Sequence, residues 1–296
     1  MKITNNFNLP EPIHRAVSRV YPPVDGRISV SHLIGPPLIR HLTKLYWDEL
    51  EEDASDRLWA LLGQGLHYVL EQHTRGDFLA EERLQAEILG ITIAGRADLY
   101  WNKTVADYKV VSAFSFLLGP HVEWERQLNT YAFLYRHIGF QVNKLQVNAI
   151  LRDWVRSKAL REFNYPKIPF QQINVPVWSE EEAARYVIDR VRLHKMHPSD
   201  PCTDADRWRR ETTYAVKKKG AKRALIGGVK STLKEAEEFA SGYCKKNKID
   251  LSKVEIEERP GEFTRCKDFC VVRNFCDLNP YKNQIFSEEE EEGEAA

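Results

Sequence analysis

Apolar and polar positions along this chain follow two periods, and the changes of period mark its elements. From Asp56 to His73, Leu58, Leu61, Leu62, Leu66, Val69 and Leu70 recur at helical spacing and predict an amphipathic helix. From Arg83 to Val111 the pattern becomes strand-like: Ile88, Ile91 and Ile93, then Leu99-Tyr-Trp101, then Val105 to Val111, with Asn102-Lys103 as a break. Glu123 to His137 is helical again, and Leu145 to Trp154 reads as a buried strand. A polar excursion follows to Asn174. Ser179 ahead of Glu180, Glu181 and Glu182 starts a further helix to His194. Ile28 to Leu33 opens a helical region through Trp47, interrupted at Gly35-Pro-Pro37. This order predicts an α/β core with a mixed sheet flanked by helices.

Composition shifts divide the chain further. Residues 1–27 are rich in Pro and Asn and read as an extended arm, and 28–198 form the core. After Pro198-Ser-Asp-Pro201 the chain turns to Lys, Arg and Cys, giving a region over 199–286. An acidic tail over 287–296 reads as disordered. The formal net charge is zero, but that tail masks a more basic body. No signal peptide and no apolar stretch long enough to span a bilayer is visible, so neither a secreted nor a membrane protein is expected. Five cysteines crowded toward one end fit an intracellular, cytoplasmic protein that holds a metal better than a disulfide scaffold.

The strongest chemistry lies between Gly95 and Lys109. If Asn102-Lys103 is a two-residue hairpin turn, Trp101 faces Thr104, Tyr100 faces Val105 and Asp98 sits opposite Asp107. Opposed carboxylates on one face repel, and a divalent cation between them removes the conflict. Lys109, two residues past Asp107, returns to the same face. Two acids and a lysine so gathered suit metal-assisted phosphodiester hydrolysis, with the lysine stabilising developing negative charge. The plainer alternative is a pair of acids flanking an exposed turn.

Around this hairpin the chain carries Gly63-Gln-Gly-Leu-His67, Gly95-Arg-Ala-Asp98, Asp107-Tyr-Lys109 and Gln127-Leu-Asn-Thr-Tyr131, in that order. Taken together, over roughly residues 28–155, this series resembles the PD-(D/E)xK nuclease superfamily in its RecB-like branch, which includes CRISPR-associated and phage exonucleases. The resemblance implies a restriction-endonuclease-like core. It implies that His67, Asp98, Asp107 and the Tyr108 carbonyl bind Mg²⁺ or Mn²⁺, that Lys109 is the catalytic lysine, and that Gln127 and Tyr131 support the site or touch DNA. Spacing is compatible with these roles. Gly63, His67 and Glu71 share one helical face, Gly63 is expected to let that face approach the sheet, and Glu71 is either a partner of the site or a surface acid.

Cys266, Cys270 and Cys276 have short, loop-compatible spacing, and a fourth ligand is needed for Zn²⁺ or for a cubane cluster. Cys202 is the candidate, while Cys244 looks like a buried thiol of an amphipathic helix. RecB-like nucleases with clusters often take one cysteine from ahead of the core. This chain has none there, so only the C-terminal half of that pattern carries over, leaving [4Fe–4S] or Zn²⁺ open. Lys217, Lys218, Lys219, Lys222 and Arg223 are candidate DNA contacts on a hairpin tip, or a solvated turn. Trp208 among Arg207, Arg209 and Arg210 is either a stacking surface for unpaired bases or a core residue with a charged rim. The expected activity is a metal-dependent exonuclease on DNA ends, with single-stranded DNA as substrate and a helicase or recombination factor as a possible partner. The alternatives are a flap endonuclease and a non-catalytic nucleic-acid-binding accessory subunit.

Overall fold

The computed structural model describes residues 1–117 and 121–282, and the acidic tail expected over 287–296 lies outside the described residues. The chain divides into two compact units, Met1–Asp200 and Pro201–Ala296. No helix among the described residues is long and apolar enough to cross a membrane.

The first unit opens with β1 (Lys2–Thr4), α1 (Glu11–Val17), β2 (Arg27–Ser29), α2 (Val30–Ile34), α3 (Pro37–Leu45), β3 (Glu51–Asp53) and α4 (Leu58–His73). The first 27 residues are therefore not an extended arm. β1 pairs in parallel with β3, Pro12 sits within the first turn of α1 where its missing N–H is harmless, and Val17 is buried. The stretch from Ile28 also begins as a strand, β2, before its helix.

The main sheet comes from β4 (Leu79–Ile88), β5 (Ile91–Trp101) and β6 (Thr104–Val111). After α5 (Ala113–Leu117) and α6 (Val122–His137) come β7 (Lys144–Leu151), α7 (Arg156–Arg161) and β8 (Phe170–Val175). β8 and α7 lie in the stretch whose sequence reads only as polar. β8 alternates exposed and half-covered residues, as an edge strand does. The helix α8 (Glu180–Met196) closes the unit behind a capping box made by Ser179 and Glu182.

Strand order explains where a site can form. β4, β5 and β6 are joined by two-residue turns, Leu89-Gly90 and Asn102-Lys103, and all four turn residues have positive φ, as type I′ hairpins require. β6 then runs parallel to β7 after the α6 crossover, and β8 returns antiparallel to β7. The sheet is mixed. One edge of β5 is shared: β2 pairs with Thr92–Ala94, and β6 pairs only with Leu99–Trp101. Between these contacts Gly95 to Asp98 face a fork, because β6 has left β5 to follow β7. α2, α6 and α8 pack over the sheet, burying Leu33, Ile93, Val105, Leu128, Leu134, Val147, Val187 and Val191 in one core.

α4 departs from the usual behaviour of an apolar stripe. None of its residues is fully buried, and Trp59, Leu62, Tyr68 and Val69 are exposed. Leu58, Leu61, Leu66 and Leu70 are half covered, as are Gly63, His67 and Glu71. Gly63 has open space where a Cβ would stand, so it mediates no close approach. The glycine that does is Gly95: a Cβ there would lie 2.7 Å from both Tyr131 Cε1 and Val30 Cγ2.

In the second unit β9 (Arg209–Arg210), β10 (Thr213–Lys218), β11 (Ala224–Lys230), α9 (Leu233–Asn247), β12 (Val254–Arg259) and β13 (Glu262–Phe263) follow one another. β9 pairs with β13, which brackets a ββαβ module. Its sheet has the order β11, β10, β12, and α9 covers one face through Val216, Ala236, Ala240, Tyr214, Leu225 and Ile256.

Candidate active site

The fork between β5 and β6 gathers the charged residues of the first unit. Counting from the Asn102-Lys103 turn places Asp98 opposite Asp107, but the ladder ends one pair earlier, at Leu99 and Ala106. The direct opposition expected from the sequence is replaced by a side-chain bond. Asp98 Oδ2 accepts the Tyr108 N–H at 2.7 Å, taking a backbone donor that the diverging strand no longer satisfies. The Tyr108 carbonyl is likewise turned to the site, 3.2 Å from His67 Nε2.

His67 comes from α4, and its Nδ1 lies 3.2 Å from Glu81 Oε1 and 3.3 Å from Asp98 Oδ1. Both ring nitrogens therefore face acceptors, which fits a doubly protonated imidazolium. Asp98 contributes most to raising this histidine to about 9, with Glu81 and Asp107 adding to it against burial. The site thus calls for a positive charge at its centre. Among the described residues, His67, Glu81 and Asp98 form the one group of three possible ligands whose donor atoms all lie within 4.8 Å of one another. One imidazole, two carboxylates and an adjacent carbonyl oxygen are a donor set that suits Mg²⁺ or Mn²⁺.

Glu81 was not among the residues singled out in the sequence. It lies in β4 at φ +54°, a conformation unfavourable for a side-chain-bearing residue, and the β4–β5 pairs skip it, passing from Ala80 with Leu99 to Glu82 with Ala97. Strand alternation changes phase here. Gly95 meets Tyr131 and Tyr100 stacks on Tyr135, both from α6, although an odd and an even position of a regular strand cannot face one helix. The irregularity turns Glu81 and Asp98 together into the fork. Arg96 holds Glu81 in place, with Nε 3.0 Å from Oε2, and also reaches Glu71 at 3.6 Å. Glu71 thus meets the site only through Arg96. The sequence does carry a signal for Glu81: counting back from the Leu89-Gly90 turn sets it opposite Asp98 by the same arithmetic that aligns Asp98 with Asp107.

Asp107 stands beside this triad, only 3% exposed, with Oδ2 2.7 Å from Lys109 Nζ. That contact is an ion pair without the alignment of a directed hydrogen bond, since Oδ2 has no hydrogen-bond partner. Burial raises the Asp107 carboxyl above its ordinary range, Lys109 opposes that shift, and Asp98 adds to it. Lys109 Nζ also donates to Gln127 Oε1 at 3.0 Å, so α6 fixes the ammonium group from above. One turn on, Tyr131 fills the space over Gly95, and burial raises its phenol well above the usual range. The structure therefore brings together His67, Asp98, Asp107, Tyr108, Lys109, Gln127 and Tyr131, and adds Glu81.

In the second unit, burial comes first in pushing the Cys202 thiol up to about 12, followed by Asp206, Cys270, Cys276 and Cys266. Burial likewise raises Cys270 to about 11, with Cys266 and Cys276 contributing. The four sulfurs are thus within electrostatic reach of one another, although no three of them come within 4.8 Å. Cys244 is buried apart from them in α9, its Sγ 3.9 Å from the Asp250 carbonyl. Trp208 is packed against Phe269, with the Arg265 guanidinium 4.5 Å from its ring centre. Arg209 pairs with Asp204 and Glu211, and Arg210 with Glu262, which gives the segment its charged rim, but Trp208 is itself exposed and not a core residue. At the β10–β11 tip, Lys218, Lys219, Lys222 and Arg223 are exposed. Lys217 is not available as a DNA contact, because Glu257 and Glu255 hold its ammonium at 2.5 and 3.4 Å.

No family model and no curated protein matches the chain. Among solved structures it is similar to one named SSO0001, at 21% identity and a TM-score of 0.43, over 66% of this chain and 87% of that one. It is also similar to a phage-related exonuclease from Haemophilus somnus 129PT, at 16% identity and a TM-score of 0.38, over 58% of this chain and 93% of the other.

Proposed function

We propose that this chain is a Mg²⁺- or Mn²⁺-dependent deoxyribonuclease of the RecB-like PD-(D/E)xK kind, hydrolysing phosphodiester bonds at the ends of single-stranded DNA. One observation carries the reading: His67, Glu81 and Asp98 bring their donor atoms together, the Tyr108 carbonyl faces the other ring nitrogen of His67, and the Asp107–Lys109 pair flanks Tyr108 on the same strand. A divalent cation bound by those ligands supplies Lewis-acid chemistry to a phosphodiester. The protein's own part is electrostatic and positional. Lys109 carries a fixed positive charge for the pentacoordinate phosphorane's developing negative charge, and Asp107 and Gln127 hold it in place so that little reorganisation is needed. Tyr131 and Gly95 seat the α6 end that bears Gln127. A purely structural charge cluster would not need an acid in a disfavoured backbone conformation, as Glu81 is.

The cysteines are read as ligands of a [4Fe–4S] cluster. Cys202, Cys266, Cys270 and Cys276 influence one another's thiols, which supports one shared group for the four, with Zn²⁺ as the alternative. Anaerobic purification should give a brown protein with about four irons per chain, and stoichiometric zinc without iron would reject this reading.

Cleavage of end-labelled single-stranded, duplex and closed circular DNA, each with Mg²⁺, Mn²⁺ or EDTA, tests the activity. Metal-dependent shortening that stops when ends are blocked is the expected result. Cutting of closed circles would make the protein an endonuclease. Binding without cleavage under every metal would make it an accessory subunit.

A further inference from the structure

We infer that the ββαβ module of the second unit carries a separate binding pole for the phosphate backbone of duplex DNA, built from the β10–β11 tip, the C-terminal turn of α9 and the start of β12. The inference goes beyond the nuclease reading, because the pole lies wholly in the second unit and requires no metal.

Topology brings the charges together. The β10–β11 tip turns through Gly220, at φ +77°, and exposes Lys218, Lys219, Lys222 and Arg223. β12 starts at this same tip, where Val254 pairs with Lys218 and the Lys219 N–H donates to the Lys253 carbonyl at 2.9 Å. α9 begins at the far end, just after Lys230, which pairs with Tyr214. Its 15 residues span about 22 Å and carry the chain back. Lys245, Lys246 and Lys248 therefore close the helix beside the tip, with Lys248 in the left-handed cap and Lys253 a short turn further on.

Eight cationic side chains so placed make no ion pair with any described residue. The nearby acids are committed elsewhere. Glu255 accepts the Gly220 N–H and contacts Lys217, and Asp250 caps Ser252. Glu235, Glu237 and Glu238 lie toward the start of α9, at the opposite end of the module. Lysines at a helix C-terminus answer its dipole, but that does not account for the four on the hairpin.

The chemistry selects the partner. Unneutralised like charges favour a polyanion, and lysines contact phosphates without reading bases. A single-strand site would want exposed rings for stacking, whereas Phe239 and Tyr243 stack on one another along α9. Exposed Ile226, Val229, Leu233 and Leu251 are divided among β11, the start of α9 and the turn ahead of β12, whereas a helix lying in a membrane interface carries its apolar face along its own length.

The test uses the full chain in EDTA, a fluorescent blunt duplex and a salt series. One variant carries Lys218→Gln, Lys219→Gln, Lys222→Gln and Arg223→Gln; a second carries Lys245→Gln, Lys246→Gln, Lys248→Gln and Lys253→Gln. Each should bind the duplex about tenfold more weakly at low salt and lower the slope of log Kd against log salt by about 2 or more. Their unfolding temperatures and metal-dependent cleavage of a short single strand should be unchanged. Wild-type affinity and slope in both variants would overturn the inference. So would unchanged DNA binding with lost binding to vesicles of anionic lipid, which would make the pole a membrane surface. Absent cleavage with an intact salt-dependent difference would count against the nuclease reading alone.

Discussion

The β5–β6 hairpin of the first unit and the β10–β11 hairpin of the second each carry a cluster of charged side chains, but they direct it oppositely. The first turns tightly, then forks, and sends Asp98, Asp107 and Lys109 inward, each answered by an opposite charge or a backbone N–H within 3.0 Å. The second pairs again at its tip, Lys217 with Ala224, after a shift of register, and sends Lys218, Lys219, Lys222 and Arg223 into solvent. Its inward-turned lysine, Lys217, is again the paired one. Magnitude makes the difference meaningful. Removing one partner of a buried ion pair is strongly destabilising, about 3–5 kcal/mol, whereas exposed pairs contribute about 0–1 kcal/mol. Buried mixed charge is kept where its ion pairs and hydrogen bonds offset its desolvation. Exposed like charge persists at little penalty and becomes a binding surface.

The largest effect should come from the inward set. Asp98→Asn removes a proposed metal ligand and weakens the acceptor of the Tyr108 N–H, so metal-dependent cleavage should fall about a thousandfold or more. Next comes a pair of glycines. Gly95→Ala forces a Cβ against Tyr131 and Val30 and should destabilise the first unit by about 1–3 kcal/mol. Gly63→Ala meets open space within a helix and should stabilise by about 0.5–1 kcal/mol. Thermal unfolding of both variants tests whether the fork, rather than α4, is where backbone and helix approach.

A third effect depends on pH and lies away from the site. His194 is 5% exposed, 3.1 Å from the Leu33 carbonyl, and held down to about 4, first by burial and then by Arg190. Its folded value lies below the unfolded value of about 6.5, so the unfolded chain binds more protons between the two. Its stabilising contribution is present above the unfolded value and is lost as pH falls toward the folded one. Unfolding near pH 4.5 should show a loss on the order of 2 kcal/mol that His194→Gln flattens. The smallest effect belongs to Lys217→Met, which should leave both the unfolding temperature and the salt dependence of DNA binding nearly unchanged.

Much of this arrangement was legible because two-residue turns fix register. Asn102-Lys103 alone predicts that Asp98, Asp107 and Lys109 gather on one face. What escaped was every feature that breaks alternation. Counting sets Glu81 opposite Asp98 but does not show its left-handed backbone, and Asp98 bonds Tyr108 because the ladder ends where simple counting would continue it. β2 was hidden by its length of three residues and by the helix directly behind it. The leucine stripe of α4 correctly marked a helix, but periodicity records which residues share a face and not whether anything covers it. Cys202 was placed with Cys266, Cys270 and Cys276 on ligand number, and its neighbourhood with them comes from the β9–β13 pairing that closes the module between.

The central claim is that the fork in the first unit hydrolyses DNA with Lys109 as its fixed positive charge. Parallel measurement of single-strand binding and of Mn²⁺-dependent cleavage by wild type and Lys109→Ala tests it most directly. The account predicts retained binding with cleavage lost about a thousandfold. Cleavage by Lys109→Ala at the wild-type rate, still abolished by EDTA, would contradict it and place the chemistry elsewhere in the chain.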